Sequence, residues 1–206
     1  FMTLLAAFAV LLGRISGQDD VLVGTSAANR ATPELEGVVG LFVNTLVIRA
    51  DMGGDPTFRA LMRRVRERCL GAYLHQDVPF DRLADELDRD REPGRNPLFQ
   101  AMFVLQNLPG GKLELPGVSV RAWEPPVPAA KFDLLLGMAE TEAGLVGTLE
   151  YAADVFEPAT AVRMMEHFQE LLESATAEPG LPVSELSMGG GSAAGALDAF
   201  NADLEL

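Results

Sequence analysis

The sequence is poor in several kinds of residue, and each shortage excludes something. A single cysteine, Cys69, rules out an intrachain disulfide framework and a multi-thiolate metal site. With two histidines, His75 and His167, a histidine-based metal site would need carboxylate help. Positive charge is scarce: 16 Lys and Arg stand against 30 Asp and Glu in 206 residues, for a net charge of −14. They form no dense basic stripe, so nucleic acid is excluded as a partner. There is no apolar run of bilayer-spanning length. The longest, FMTLLAAFAVLL at Phe1–Leu12, also lacks the basic lead-in and small-residue cleavage site of a signal peptide. It reads as a buried helix begun without a cap, as if cut from a longer chain. No repeat of solenoid length is present. The expectation is a soluble cytoplasmic protein with no membrane partner.

The charge is also unevenly placed. Residues 1–131 hold 15 basic and 16 acidic side chains, whereas residues 132–206 hold one basic residue, Arg163, and 14 acidic ones. An apolar content of 48% is globular and is ample for a real core.

Along the chain, strands and helices interleave. The opening helix ends at Ser16-Gly17, and DVLVGTSA (20–27) reads as a short buried strand. Residues 28–37 are loop-like. LFVNTLVIR (41–49) is apolar on both faces and so reads as an interior strand, in which the Asn44 amide must find hydrogen bonds. Asp55 caps the next helix, with Pro56 in its first turn. That helix puts Phe58, Leu61, Met62, Val65, Cys69 and Tyr73 on one face, with Arg59, Arg63, Arg64, Arg66 and Arg68 on the rest. Asp77 caps a second short helix, with Pro79 in its first turn and Phe80, Leu83 and Leu87 facing inward. After a charged loop at 88–97, residues 98–106 read as a strand, 108–117 as a hairpin turn, 118–123 as a weak strand and 125–130 as a stiff proline-rich connector. FDLLLGM (132–138) and LVGTLEYA (145–152) pair across a polar turn. A last helix starts at Glu157-Pro158, with Val162, Met165, Phe168 and Leu172 inward. The Gly/Ala-rich end reads as a linker. The class is α/β, a mixed β-sheet flanked by helices.

Taken singly, the candidate chemical groups are weak. His75 and Asp77 could be a base and its orienting acid, but the preferred reading is that His75 ends one helix and Asp77 caps the next. Cys69 lies on an apolar face and reads as a core thiol. Ser26 lacks the glycine of a nucleophile elbow, and the Gly110 and Gly189 clusters lack the Lys-Ser/Thr of a phosphate loop. Trp123 and Met164-Met165 read as packing. The arginines at 59–68 could bind an anion, although a solvated helix face is the better reading.

Three ordered stretches change this picture. GVVGLFVNTLVIR (37–49), HQDVPFD (75–81) and REPGRNPLF (91–99) resemble motifs of the condensation domains of nonribosomal peptide synthetases. Asp81 stands for the usual Glu, Glu92 for Asp and Gly94 for Ser. VLVGTSAANR (21–30), FQAMFVLQN (99–107), KFDLLL (131–136) and LVGTLEYAADVF (145–156) are similar to that family's flanking segments. The family's HHxxxDG motif does not occur in the chain.

The resemblance implies that residues 1–186 are the C-terminal lobe of a two-lobed, chloramphenicol-acetyltransferase-like acyltransferase fold, inactive alone. Residues 187–206 would be a linker toward an adenylation domain. It implies amide formation between thioesters carried on phosphopantetheine arms, with no directly bound cofactor, and biosynthesis of secondary-metabolite peptides. The implied partners are the N-terminal lobe, upstream and downstream carrier proteins and the adenylation domain. Gly40, Phe42, Asn44 and Thr45 would line the substrate tunnel, and residues 26–40 would floor it. Residues 105–131 would hold the crossover onto the other lobe. His75, Asp77, Pro79, Phe80, Arg95, Asn96 and Pro97 would be structural motif residues, Arg95 pairing with Asp77 or a neighbouring acid. Arg63 and Arg66 would receive a carrier protein. The competing reading is a non-catalytic recruitment module of the same fold.

Overall fold

A computed structural model describes residues 1–30, 32–87, 96–106, 117–118, 120, 129–142 and 144–189. The charged loop at 88–95 with Arg95, most of the 108–117 turn, the weak strand around Trp123, much of the connector and the linker from 190 onward lie outside the described residues.

Among the described residues, five strands form one mixed sheet in the order β2-β1-β3-β4-β5: β1 (Asp20–Ala27), β2 (Asn44–Asp51), β3 (Ala101–Gln106), β4 (Leu134–Thr141) and β5 (Gly144–Tyr151). β1 and β2 pair antiparallel, as do β4 and β5, while β3 lies parallel to both of its neighbours. Helix α1 (Met2–Ser16) packs against α3 (Phe58–Leu74), α5 (Pro158–Ala177) and β1. All side chains from Leu4 to Leu11 are buried, which explains why this helix is apolar all round. Phe8 is central, its ring 6.1 Å from Phe103 and 6.3 Å from Phe168. Gly17 ends the helix in the left-handed region at φ 67°, where a Cβ would be strained. A four-residue helix, α2 (Pro33–Glu36), lies within the expected loop, and α4 (Phe80–Leu87) follows α3.

Several expectations need correction. Among the described strands β2 lies at the edge of the sheet, and it starts at Asn44, three residues later than expected. Its Leu46, Ile48 and Ala50 are buried on the helix side, while Arg49 on the other face is exposed and pairs with Asp20 at 2.7 Å. Thr57, not Asp55, caps α3, its hydroxyl accepting from the Ala60 N–H at 3.2 Å. Asp55 instead accepts from the Ser184 backbone N–H at 3.0 Å and from its hydroxyl at 2.7 Å, so it ties the segment after α5 to the β2–α3 turn. In α4 the buried side chain is Ala84, and Leu87 is exposed. α5 turns its Ala161, Met164, Phe168, Leu171 and Ala175 stripe inward and leaves Val162 59% exposed.

Candidate functional site

The motif residues meet at one end of the sheet. Asn44 opens β2 opposite Ala27, the last residue of β1. Its carboxamide nitrogen donates to the carbonyls of Gln76 and Val78, both at 2.7 Å. Its oxygen accepts from the backbone N–H of Thr45 at 3.0 Å and of Phe80 at 3.2 Å. Two donors and two accepting lone pairs are the whole capacity of an amide side chain. Asn44 is therefore saturated by backbone, and it supplies the acceptor at the start of α4 that Asp77 was expected to provide. The FVNT and HQDVPF motifs are thus physically one structure.

Phe80 carries the contact onward. Its ring meets Phe99 edge-on at 5.6 Å, and Phe99 stacks on Phe132 at 5.5 Å. Phe99 is 2% exposed, and its ring occupies the space where a Cβ on Gly24 would project. Glycine is thus required in β1 by close approach rather than by dihedral angle. The chain enters this stack through a tight turn in which the Phe99 N–H donates to the Pro97 carbonyl at 2.9 Å. Leu98 at its centre has φ 67°, a conformation that residues other than glycine rarely adopt. Asn96 donates to the Lys131 carbonyl at 2.7 Å, which brings the NPLF and KFD segments together. Sequence pattern assigns no role to Gly24, Phe99 or Phe132, because their close approach exists only in three dimensions.

The remaining candidates fall into place. His75 is the C-cap of α3, its N–H donating to the carbonyl of Ala72 at 3.1 Å. His75 and Asp77 are both exposed, and neither a hydrogen bond nor an ion pair joins them. Arg63 and Arg66 are exposed on α3, and Pro79 is exposed before α4. Arg64 departs from the solvated-face reading: it donates to the carbonyls of Asp51 at 2.9 Å and Gly53 at 3.1 Å. Gly40 and Phe42 lie ahead of β2, with the Arg30 guanidinium 4.4 Å above the Phe42 ring. Thr45 is half-buried beside Asn44. Among the described residues no group of His, Cys, Asp or Glu could hold a metal ion, and no helix is long and apolar enough to cross a membrane. A groove of about 770 Å³ lies between β5 and α5, but none of the motif residues line it.

Cys69 is fully buried, and desolvation raises its thiol to about 11. The raised value means that the folded state holds its proton more tightly than the unfolded chain. Stability from this group is therefore complete below about pH 9 and is lost as pH rises toward 11, by roughly 2–3 kcal/mol in all. Native protein at pH 8 should resist iodoacetamide and react only after denaturation. Rapid alkylation of the native protein would disprove the core-thiol assignment.

Comparison with known proteins decides what this arrangement belongs to. The family model described as "Condensation domain" matches residues 1–192. The chain is a member of the condensation-domain family. It is 48% identical over 190 residues to one of the linear gramicidin synthase proteins of Brevibacillus parabrevis, covering 91% of this chain and 2% of that protein. It is 41% identical over 188 residues to surfactin synthase subunit 1 of Bacillus subtilis (strain 168), covering 91% of this chain and 5% of that protein. Among solved structures, a four-domain nonribosomal peptide synthetase bound to AMP and glycine matches with a TM-score of 0.82 at 27% identity, over 91% of this chain and 15% of that one. The X-domain from teicoplanin biosynthesis, solved in complex with OxyB, matches with a TM-score of 0.82 at 28% identity, over 93% of this chain and 43% of that one. This condensation-domain chain therefore spans a small part of the curated relatives it matches. The motif junction and the five-stranded sheet are its share of the chloramphenicol-acetyltransferase-like fold.

Proposed function

We propose that this chain is the C-terminal lobe of a condensation domain that joins two carrier-bound thioesters through an amide bond. The acceptor amine attacks the donor thioester carbonyl, a C–N bond forms, the C–S bond breaks, and the amine proton passes to the departing thiolate. A thioester is already activated, so the main requirement is that two tethered arms be held in attack geometry. The observation that carries this reading is the junction itself: three motifs far apart in sequence are spent on building one rigid corner. Such a corner suits a wall that positions substrates rather than a centre that reacts with them.

In this reading Gly40, Phe42 and Thr45 line the tunnel, and Asn44 positions that wall through its backbone partners. The phosphopantetheine arms belong to the carriers, and Arg63 and Arg66 offer the exposed cations for an acidic carrier surface. The N-terminal lobe brings HHxxxDG, so the lobe alone is inactive. Residues 187–206 lead toward an adenylation domain, and the whole works in the cytoplasm. The second reading, recruitment without catalysis, draws on the X-domain solved with OxyB.

The test joins this lobe to an intact N-terminal half and supplies loaded donor and acceptor carriers. Dipeptidyl thioester should form, and an Arg63→Glu, Arg66→Glu double variant should bind carrier more weakly. A folded two-lobed protein that makes no product would favour recruitment.

A further inference from the structure

We infer that Arg30 is a positioning residue that pins the loop from 32 to 43 in the shape the proposed condensation reaction needs, an inference that rests on the function proposed above. The loop precedes Asn44 and leads directly into the junction. Its backbone hydrogen bonds are local: Leu35 N–H to the Thr32 carbonyl at 3.0 Å and Val38 N–H to the Leu35 carbonyl at 3.2 Å. Across the loop, Arg30 makes three contacts. One guanidinium nitrogen donates to the Leu35 carbonyl, a second reaches the Gly40 carbonyl at 3.5 Å, and the guanidinium carbon lies over the Phe42 ring, 4.4 Å from its centroid.

Two neighbours prepare this clasp. Asn29 sits at φ 50°, a left-handed conformation that asparagine tolerates better than most residues, at the point where the chain leaves β1. Gly40 keeps the space beside the Phe42 ring free, since a Cβ there would come within 3.2 Å of the ring edge.

The outcome is a surface of unusual polarity. The half-buried Arg30 cation is spent on the loop's carbonyls and the Phe42 ring, while Val39 and Leu41 are 100% and 92% exposed and Val43 is 57% exposed. An ordinary soluble surface would do the opposite. The pin therefore fixes an apolar ledge in place. On the proposed reading the ledge excludes water from the donor thioester, whose competing reaction is hydrolysis to a free acid and a thiol. Lysine could not replace Arg30, because it keeps the charge but lacks the planar face and the fork of N–H donors.

The experiment compares the unsubstituted protein with Arg30→Lys and Arg30→Met. Hydrogen exchange on this chain should accelerate on the order of tenfold at residues 33–42 in both variants, with β1 and β3 amides unchanged, because contacts confined to one loop set only its local opening. In the two-lobed protein the ratio of hydrolysed donor to amide should rise on the order of tenfold in both variants, with thermal midpoints unchanged. Exchange at 33–42 that stays at the unsubstituted level, or that rises equally throughout the sheet, would overturn the pin. A quickened loop with an unchanged product ratio would overturn the positioning role. Absence of amide from the unsubstituted two-lobed protein would instead sink the reaction, and the positioning role with it, while the exchange result still decides whether Arg30 holds the loop.

Discussion

An Asn44→Asp protein is expected to be less stable by about 2–4 kcal/mol at neutral pH, and in the two-lobed protein of the proposed function the same substitution should lower amide formation further than the folded fraction explains. The two shapes are nearly identical, so the effect isolates hydrogen bonding. A carboxylate can still accept from Thr45 and Phe80, but it has nothing to donate to the Gln76 and Val78 carbonyls, each 2.7 Å away. Three oxygens would then face one another at the start of α4. Asn44→Ala should cost less, about 1–2 kcal/mol, because water can enter the space left behind. The pH dependence adds a signature. The new carboxyl can donate only when protonated, so its folded-state pKa is raised. The variant should regain stability as pH falls toward 4 and lose it as pH rises. Urea denaturation at pH 4 and pH 7 would show this, and an alanine variant worse than the aspartate would disprove the hydrogen-bond account.

A Gly24→Val substitution is expected to cost about 3 kcal/mol or more, through overpacking that displaces a buried ring. The Phe99 ring lies against the glycine, so a side chain there must push it away from Phe80 and Phe132 together. Gly24→Ala should destabilise in the same direction by about 1–3 kcal/mol. Pairing Gly24→Ala with Phe99→Leu should recover part of that loss, a coupling that a double-mutant cycle in thermal or urea melts would measure. A neutral Gly24→Ala would mean that the ring moves freely and that the stack does not hold the junction.

Much of this architecture is readable from local pattern. α1 and its glycine stop, β1 at residues 20–27 and the pairing of β4 with β5 follow from periodicity and turn residues. The interior position expected for β2 does not, because apolar residues on both faces do not show which edge is covered. The inward face of α5 is ambiguous in sequence for a simple reason: the Met164-Met165 and Leu171-Leu172 doublets let the apolar stripe be drawn one residue out of register. The need for hydrogen bonds at Asn44 is legible, but three of its four partners are not, since they lie 32 to 36 residues away. The motifs mark the family, and only the fold shows that they are one contact network.

The buried middle of α1, Leu4–Leu11, bears on how the chain comes off the ribosome. Among the elements of this lobe it is made first, and it is covered by one of the last, α5. Arg14 at its end donates to the carbonyls of Val183 and Leu186, 172 residues away for the latter. Until those residues are synthesised, α3 and β1 can cover part of α1, but the apolar surface that α5 buries stays exposed. Slow or interrupted translation before α5 should therefore leave a nascent chain that sticks to chaperones or to its neighbours. Slower translation over residues 158–186 is then expected to lower the yield of folded protein.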